Sequence, residues 1–192
     1  LQVIDNIIEF SFIDSGLVQV KPVRIDPRKL LNELHKEIMN MQGKMEKQHL
    51  QISIQNKLPK EVTLYNDVVR IKQILLKLLS NALKFTERGG VTLSLYYNQN
   101  QWVVFSVKDT GIGIPKDKHE LIFRRFRQVD EGQTRMFGGS GLGLALARHL
   151  AQMLGGHISV DSEPGKGSEF RLYVPAVIDE SMARALSVDF LK

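Results

Sequence analysis

Leu75-Leu76-Lys77-Leu78-Leu79-Ser80-Asn81-Ala82-Leu83-Lys84-Phe85 reads as the second half of a helix that opens at a capping Asn66 or Asp67 and runs to about Thr86. At 3.6 residues per turn, Ile74, Leu78, Asn81 and Phe85 form one stripe, with Lys77 and Lys84 beside Asn81 on its edge. An amide set in an apolar stripe must find partners or cost about 1–3 kcal/mol. Asn81 can meet that demand in two ways. Its side chain can bond a nearby backbone group, or its oxygen can ligate a metal ion while the flanking ammonium groups meet phosphates.

Outward from this helix, the flanks alternate between two periods. Upstream, Asp26-Pro27 pairs an N-cap with proline at the first helical position. Leu30, Leu31, Leu34, Ile38, Met41 and Met45 then carry a helix toward Gln48. Leu50-Gln51-Ile52-Ser53-Ile54 alternates as a half-buried strand does. Downstream, Arg88-Gly89-Gly90 closes the central helix, and two strands follow, Val91 to Tyr97 and Trp102 to Asp109. Another helix, Leu142 to Leu154, stops at Gly155-Gly156, and a hairpin pairs His157 to Asp161 with Ser168 to Val174. The chain begins with an apolar periodic segment, Leu1 to about Ile13, and ends in a weakly amphipathic tail, Ala176 to Lys192, read as a linker helix. Adjacent hairpins with grouped helices predict an α+β fold, a two-layer sandwich of a mixed, mostly antiparallel sheet covered by helices on one face.

In Trp102-Val103-Val104-Phe105-Ser106-Val107-Lys108-Asp109, period two puts Asp109 on the face of Val103, Phe105 and Val107. A carboxylate aimed at the apolar side needs a donor, and the amino group of a flat apolar ligand is one. The rival reading is a turn aspartate capping its own loop. Gly111 and Gly113 follow in a tight turn that allows close backbone approach. Later, Gly138-Gly139-Ser140-Gly141-Leu142-Gly143-Leu144-Ala145 opens directly into a helix, whose free N–H groups and dipole suit phosphate. It is not a Walker motif, since no Gly-Lys-Ser/Thr follows. Ahead of it, Phe123 and Phe126 are placed to anchor a charged, mobile lid.

Composition narrows the classes further. The chain has 192 residues, 43% hydrophobic and 24% charged, which excludes disorder for most of it. It has no cysteine, so disulfides, thiolate metal sites and thiol nucleophiles are excluded. The formal charge of +5 invites an anionic partner, yet no basic stripe with interleaved aromatics supports nucleic acid. No apolar run is long enough to span a membrane, so no membrane contact is expected of this piece.

Taken as a set, these motifs resemble the catalytic domain of sensor histidine kinases, in the Bergerat-fold superfamily shared with gyrase, MutL proteins and heat-shock chaperone ATPases. Ser80-Asn81-Ala82-Leu83-Lys84-Phe85 resembles the N box, and Asp109-Thr110-Gly111-Ile112-Gly113-Ile114 the G1 box. Ile122-Phe123-Arg124-Arg125-Phe126 is similar to the F box, and Gly139-Ser140-Gly141-Leu142-Gly143-Leu144 to the G2 box. Gly167-Ser168-Glu169-Phe170 resembles the closing Gly-Thr-x-Phe element. The resemblance implies ATP and Mg²⁺ as cofactors and transfer of the γ-phosphoryl group to a histidine on a helix absent from this chain. It implies that Asp109 accepts from the adenine amino group, with Ser168 holding a water beside it. Asn81 would ligate Mg²⁺ and Lys84 would contact phosphate, the pair forming the catalytic set. Phe85 would pack near the adenosine, with Gly111, Gly113, Phe126 and Leu142 in the binding set. Gly139, Gly141 and Gly143 would shape the phosphate-facing end of the lid.

The same resemblance divides the chain into residues 1–16, the end of a dimerisation and phosphoacceptor helix; 22–175, the catalytic domain; and 176–192, a linker or tail toward a receiver domain. Its implied partners are the kinase's own dimerisation helices and a response regulator or receiver domain, in the cytoplasm and with a parent protein anchored in the inner membrane. One departure stands out. Lys77 occupies the position, one turn before Asn81, where such kinases commonly carry a second asparagine. An ammonium cannot ligate Mg²⁺, so Lys77 is expected to weaken metal-dependent nucleotide binding or slow transfer. It also supports an alternative reading, an impaired regulatory domain acting through protein–protein contacts. His35, His49, His119, His149 and His157 lie in no acceptor-like sequence.

Overall fold

The computed structural model describes residues 8, 11, 19–98, 101–125 and 141–178. The expected first helix falls almost wholly outside these residues, although Ile8 and Ser11 have helical backbone. Helix α1, Pro27–Lys44, starts where Asp26 Oδ1 accepts from Arg28 N at 3.1 Å. It buries Leu30, Leu31, Leu34 and Ile38 and ends at Lys44, earlier than the Gln48 expected from periodicity. The reason is the buried Gln42 amide, which donates to Lys47 O (3.0 Å) and Leu50 O (2.7 Å) and folds the chain back while Glu46 takes a positive φ of 56°.

The central helix is α2, Val68–Phe85. Asp67 caps it, Oδ1 accepting from Val69 N and Arg70 N at 3.0 and 3.1 Å, and Asp67 Oδ2 accepts from Lys21 N at 3.0 Å. Asn66 Nδ2 donates to Leu154 O at 3.0 Å and so ties this helix start to the end of α3, Gly143–Met153. Ile71, Ile74, Leu75, Leu78, Leu79, Ala82 and Leu83 form the buried face. At the other end the buried Thr86 hydroxyl donates to Ala82 O at 2.7 Å.

Beneath the helices lies a five-stranded sheet of β2 (Gln51–Lys57), β4 (Gly90–Asn98), β5 (Trp102–Asp109), β7 (Gly167–Pro175) and β6 (His157–Glu163), in that spatial order. Only β2–β4 is parallel, so the sheet is mixed and mostly antiparallel, as the sequence indicates. Leu93, Leu95, Val103, Phe105, Val107, Leu172 and Val174 fill its helix-facing side. Two further features were not read from the sequence. A three-stranded sheet forms from β1 (Val23–Ile25), β3 (Val62–Asn66) and β8 (Val177–Ile178). The tail therefore does not open as a helix. Val177 and Ile178 pair with Thr63 and Val62, and Ala176 N donates to Gln101 O at 2.9 Å, because two apolar residues gain a strand partner there. Residues 179–192 lie outside the described set.

Candidate functional site

Strand β5 delivers Asp109 to the helix-facing side, 5% exposed. Its Oδ1 accepts from Gly111 N at 2.8 Å and Ser168 N at 3.3 Å. Both readings of this residue thus coexist. One oxygen caps its own turn, and Oδ2 remains able to accept from a ligand. Burial raises the carboxyl pKa above the ordinary range, and the two backbone donors oppose that shift.

The glycines beside Asp109 have a role the sequence did not reveal. A Cβ on Gly111 would lie 2.3 Å from Phe85 O, and one on Gly113, whose φ is +69°, would lie 2.0 Å from Glu163 O. What approaches these glycines in the structure is the protein's own backbone. Ile112 N donates to Phe85 O (3.2 Å) and Gly165 N to Ile112 O (2.8 Å), so the turn clamps the end of α2 to the β6–β7 turn. Thr110 extends the clamp, its hydroxyl accepting from Gly90 N at 2.9 Å and donating to Arg88 O at 3.0 Å.

Ser168, 7% exposed, stands beside Asp109, its hydroxyl 2.9 Å from Ser162 Oγ. On α2, helical spacing puts Arg70, Gln73, Lys77, Ser80, Asn81 and Lys84 on one half-buried face. Asn81 therefore borders the apolar stripe instead of lying in it, since Ile74 and Leu78 are fully buried and Asn81 is not. Lys84 Nζ sits 4.9 Å from the Phe85 ring centroid, and burial lowers its pKa. Helix α3 begins at Gly143 with no side-chain cap, preceded by Gly141 at φ 66°. Its first internal bond is Leu146 N to Leu142 O at 2.9 Å, so the preceding amides have no intrahelical partner among the described residues. Leu142 is 1% exposed and roots the glycine tract in the core.

Phe123 is buried against Phe170, ring centroids 6.4 Å apart, and the lid it was expected to anchor lies outside the described residues. Phe126 and Gly139 lie outside the described residues. An open groove of about 310 Å³, lined by Phe123, Arg125, Ala145, Arg148, His149 and Gln152, contains none of the sequence-predicted ligand-binding residues. Among the described residues no three His, Cys, Asp or Glu side chains gather into a metal site. Magnesium chemistry does not require one, because that ion keeps waters and phosphates and takes few protein ligands. The Asn81 amide fits as a single neutral oxygen donor. No helix among the described residues is long and apolar enough to cross a membrane.

A helix-backed sheet ending in a buried acid, glycine turns and an uncapped helix start defines a nucleotide-binding α+β domain. The chain belongs to the histidine kinase-, DNA gyrase B- and HSP90-like ATPase family, which matches residues 66–178. It corresponds to the ATP-binding catalytic domain of sensor histidine kinases. The circadian input-output histidine kinase CikA of Synechococcus elongatus is 36% identical over 179 residues, covering 91% of this chain and 23% of that protein. The autoinducer 2 sensor kinase/phosphatase LuxQ of Vibrio vulnificus is 38% identical over 183 residues, covering 91% of this chain and 21% of that protein. The sensor histidine kinase RcsC of Escherichia coli is 37% identical over 175 residues, covering 91% and 18%. The chain thus spans about a fifth of the length of these relatives. Full-length ShkA, solved in complex with AMPPNP, matches with a TM-score of 0.80 and 30% identity over 93% of this chain and 36% of that one. The mycobacterial sensor histidine kinase MprB shares the fold at TM-score 0.67 and 21% identity over 83% of this chain and 100% of that one.

Proposed function

We propose that this domain holds ATP with the adenine amino group on Asp109 Oδ2 and the phosphates between Lys84 and the open start of α3 at Gly141 and Gly143. Asn81 supplies one oxygen to a magnesium ion that arrives with the nucleotide and neutralises phosphate charge when bound. The γ-phosphoryl group then passes to a histidine on the dimerisation helix of the whole kinase and onward to a receiver domain or response regulator. Phosphoryl transfer relies on positioning and charge neutralisation, and the residues here bind and orient. The base beside the acceptor histidine belongs to another part of the protein.

The observation that supports this reading most is Asp109, a buried carboxylate whose two hydrogen bonds among the described residues both fall on one oxygen. Calorimetry with ADP and ATP tests it. Asp109→Asn keeps an acceptor for Gly111 and Ser168 but loses the charge, and we expect affinity to fall about 100-fold or more. Unchanged affinity in a folded variant rejects the assignment. A regulatory domain without transfer activity is the second reading, favoured by Lys77 on the face of α2 that carries Asn81. Phosphotransfer to a supplied dimerisation domain separates the two, because the regulatory reading predicts none.

A further inference from the structure

The Ser162 hydroxyl lies at the junction of three backbone segments. Its Oγ accepts from Ile114 N at 2.8 Å, lies 2.9 Å from Gly167 O, and lies 2.9 Å from Ser168 Oγ. A carbonyl oxygen can only accept, so the single hydroxyl hydrogen of Ser162 goes to Gly167. Ser168 must then donate its own hydrogen to Ser162. That leaves Ser168 Oγ with lone pairs alone for anything else in the site. Ser168 stands next to Asp109, to which its backbone N–H donates at 3.3 Å. Two acceptors, Asp109 Oδ2 and Ser168 Oγ, therefore lie on hydrogen-bonded neighbouring residues where the adenine is placed above.

The geometry points to Ser162 as the positioning residue that sets the hydrogen-bond polarity of this pair, so that the pocket admits a purine bearing a 6-amino group and rejects one bearing a 6-oxo group. The inference rests on the adenine placement above and names how that placement discriminates. A 6-amino group offers hydrogens to both acceptors. A 6-oxo group puts an acceptor where the amino donor stood, and its ring N1–H lies one position further round the edge, so both protein acceptors lose their bonds to the 6-substituent unless the base shifts. Without Ser162, the Ser168 hydroxyl is free to rotate and donate, and the pair then serves either purine.

Calorimetric binding of ADP and of inosine diphosphate to the chain and its variants tests this. The wild-type chain should prefer ADP, and Ser162→Ala should reduce that ADP-to-inosine preference about tenfold or more. Ser162→Thr, which keeps a hydroxyl on the strand, should restore it. In a Ser168→Ala background the Ser162→Ala change should no longer alter the preference, since Ser162 acts through Ser168. An unchanged preference in folded Ser162→Ala overturns the inference while leaving the adenine site standing. Absence of ADP binding to the wild-type chain overturns the site itself. Should Ser162→Ala not fold, Ser168→Ala carries the test alone, and a preference equal to wild type there also overturns the proposal.

Discussion

The two ends of the site are built differently. The end that holds Asp109 is assembled from strand termini and turns, with Asp109, Gly111, Ile114, Ser162, Gly167 and Ser168 joined by hydrogen bonds of 2.8–3.3 Å and Gly113 packed against the Glu163 carbonyl. The end that holds Asn81 and Lys84 is one face of a single helix, half-buried and rich in cations. The first end is shaped before a ligand arrives, so shape and hydrogen-bond polarity decide what it accepts. The second offers charge on flexible stems, and what it contributes depends on the anion and ions brought to it.

The largest effect that separates the ends is expected from Asp109→Asn, because it acts on affinity and stability with opposite signs. Burial raises the folded-state pKa of Asp109, so the folded chain binds that proton more tightly than the unfolded chain. The ionised form therefore costs stability above the folded pKa, and the cost disappears as pH falls below the unfolded value. Asp109→Asn should raise the Tm of the nucleotide-free chain near neutral pH while lowering nucleotide affinity about 100-fold or more. The Tm gain should shrink on acidification. A lower Tm at neutral pH would show that the acid also supports the fold.

Next comes Gly113→Ala, which attacks the preformed end without touching a polar group. A Cβ 2.0 Å from Glu163 O at φ +69° has no room, and about 3 kcal/mol of stability should be lost. In a chain of this size that corresponds to a Tm decrease of roughly 6–12 °C by thermal unfolding. A change below 1 °C would mean that the turn moves apart readily and that the first end is not preformed. At the other end, Lys84→Met should weaken ATP binding about tenfold with little change in Tm. Burial already lowers the Lys84 pKa, and a bound phosphate would raise it again, so affinity should fall as pH rises through the lowered value. Calorimetry across alkaline pH reads this directly, and a flat profile would remove Lys84 from the phosphate site.

The same contrast explains what was legible in the sequence. Strand β5 and helix α2 were readable because period two and period 3.6 act on adjacent residues, and Asp109 was placed correctly by counting along one strand. Asn81 was placed one step too deep, because periodicity cannot say where the covered part of a helix face ends. Val62–Asn66 was missed although Val-Thr-Leu-Tyr alternates, because its partners come from distant segments, Val23–Ile25 and Val177–Ile178. Gly111 and Gly113 were recognised as close-approach positions, but the approaching groups, Phe85 O and Glu163 O, lie 26 and 50 residues away along the chain. Ser162 carried no signal at all, since its role exists only where three separate backbone segments converge.

The smallest expected effect is the one that asks most of the helical end. Lys77 lies one turn before Asn81 on the same half-buried face, and two unit charges 4 Å apart interact by about 1 kcal/mol in water and about 4 kcal/mol at an effective dielectric of 20. A divalent ion at that distance from the ammonium meets twice that repulsion, while the phosphates it accompanies are attracted by the same ammonium. The two effects oppose each other, so adding Mg²⁺ should improve nucleotide affinity only slightly in the wild-type chain. Lys77→Asn removes both and offers a second amide oxygen, and the gain on adding Mg²⁺ should then grow by about three- to tenfold. Calorimetry with ATP, with and without Mg²⁺, measures the gain in each protein. Equal gains would place Lys77 outside the reach of the metal and return the departure from the N-box pattern to a matter of the helix surface alone.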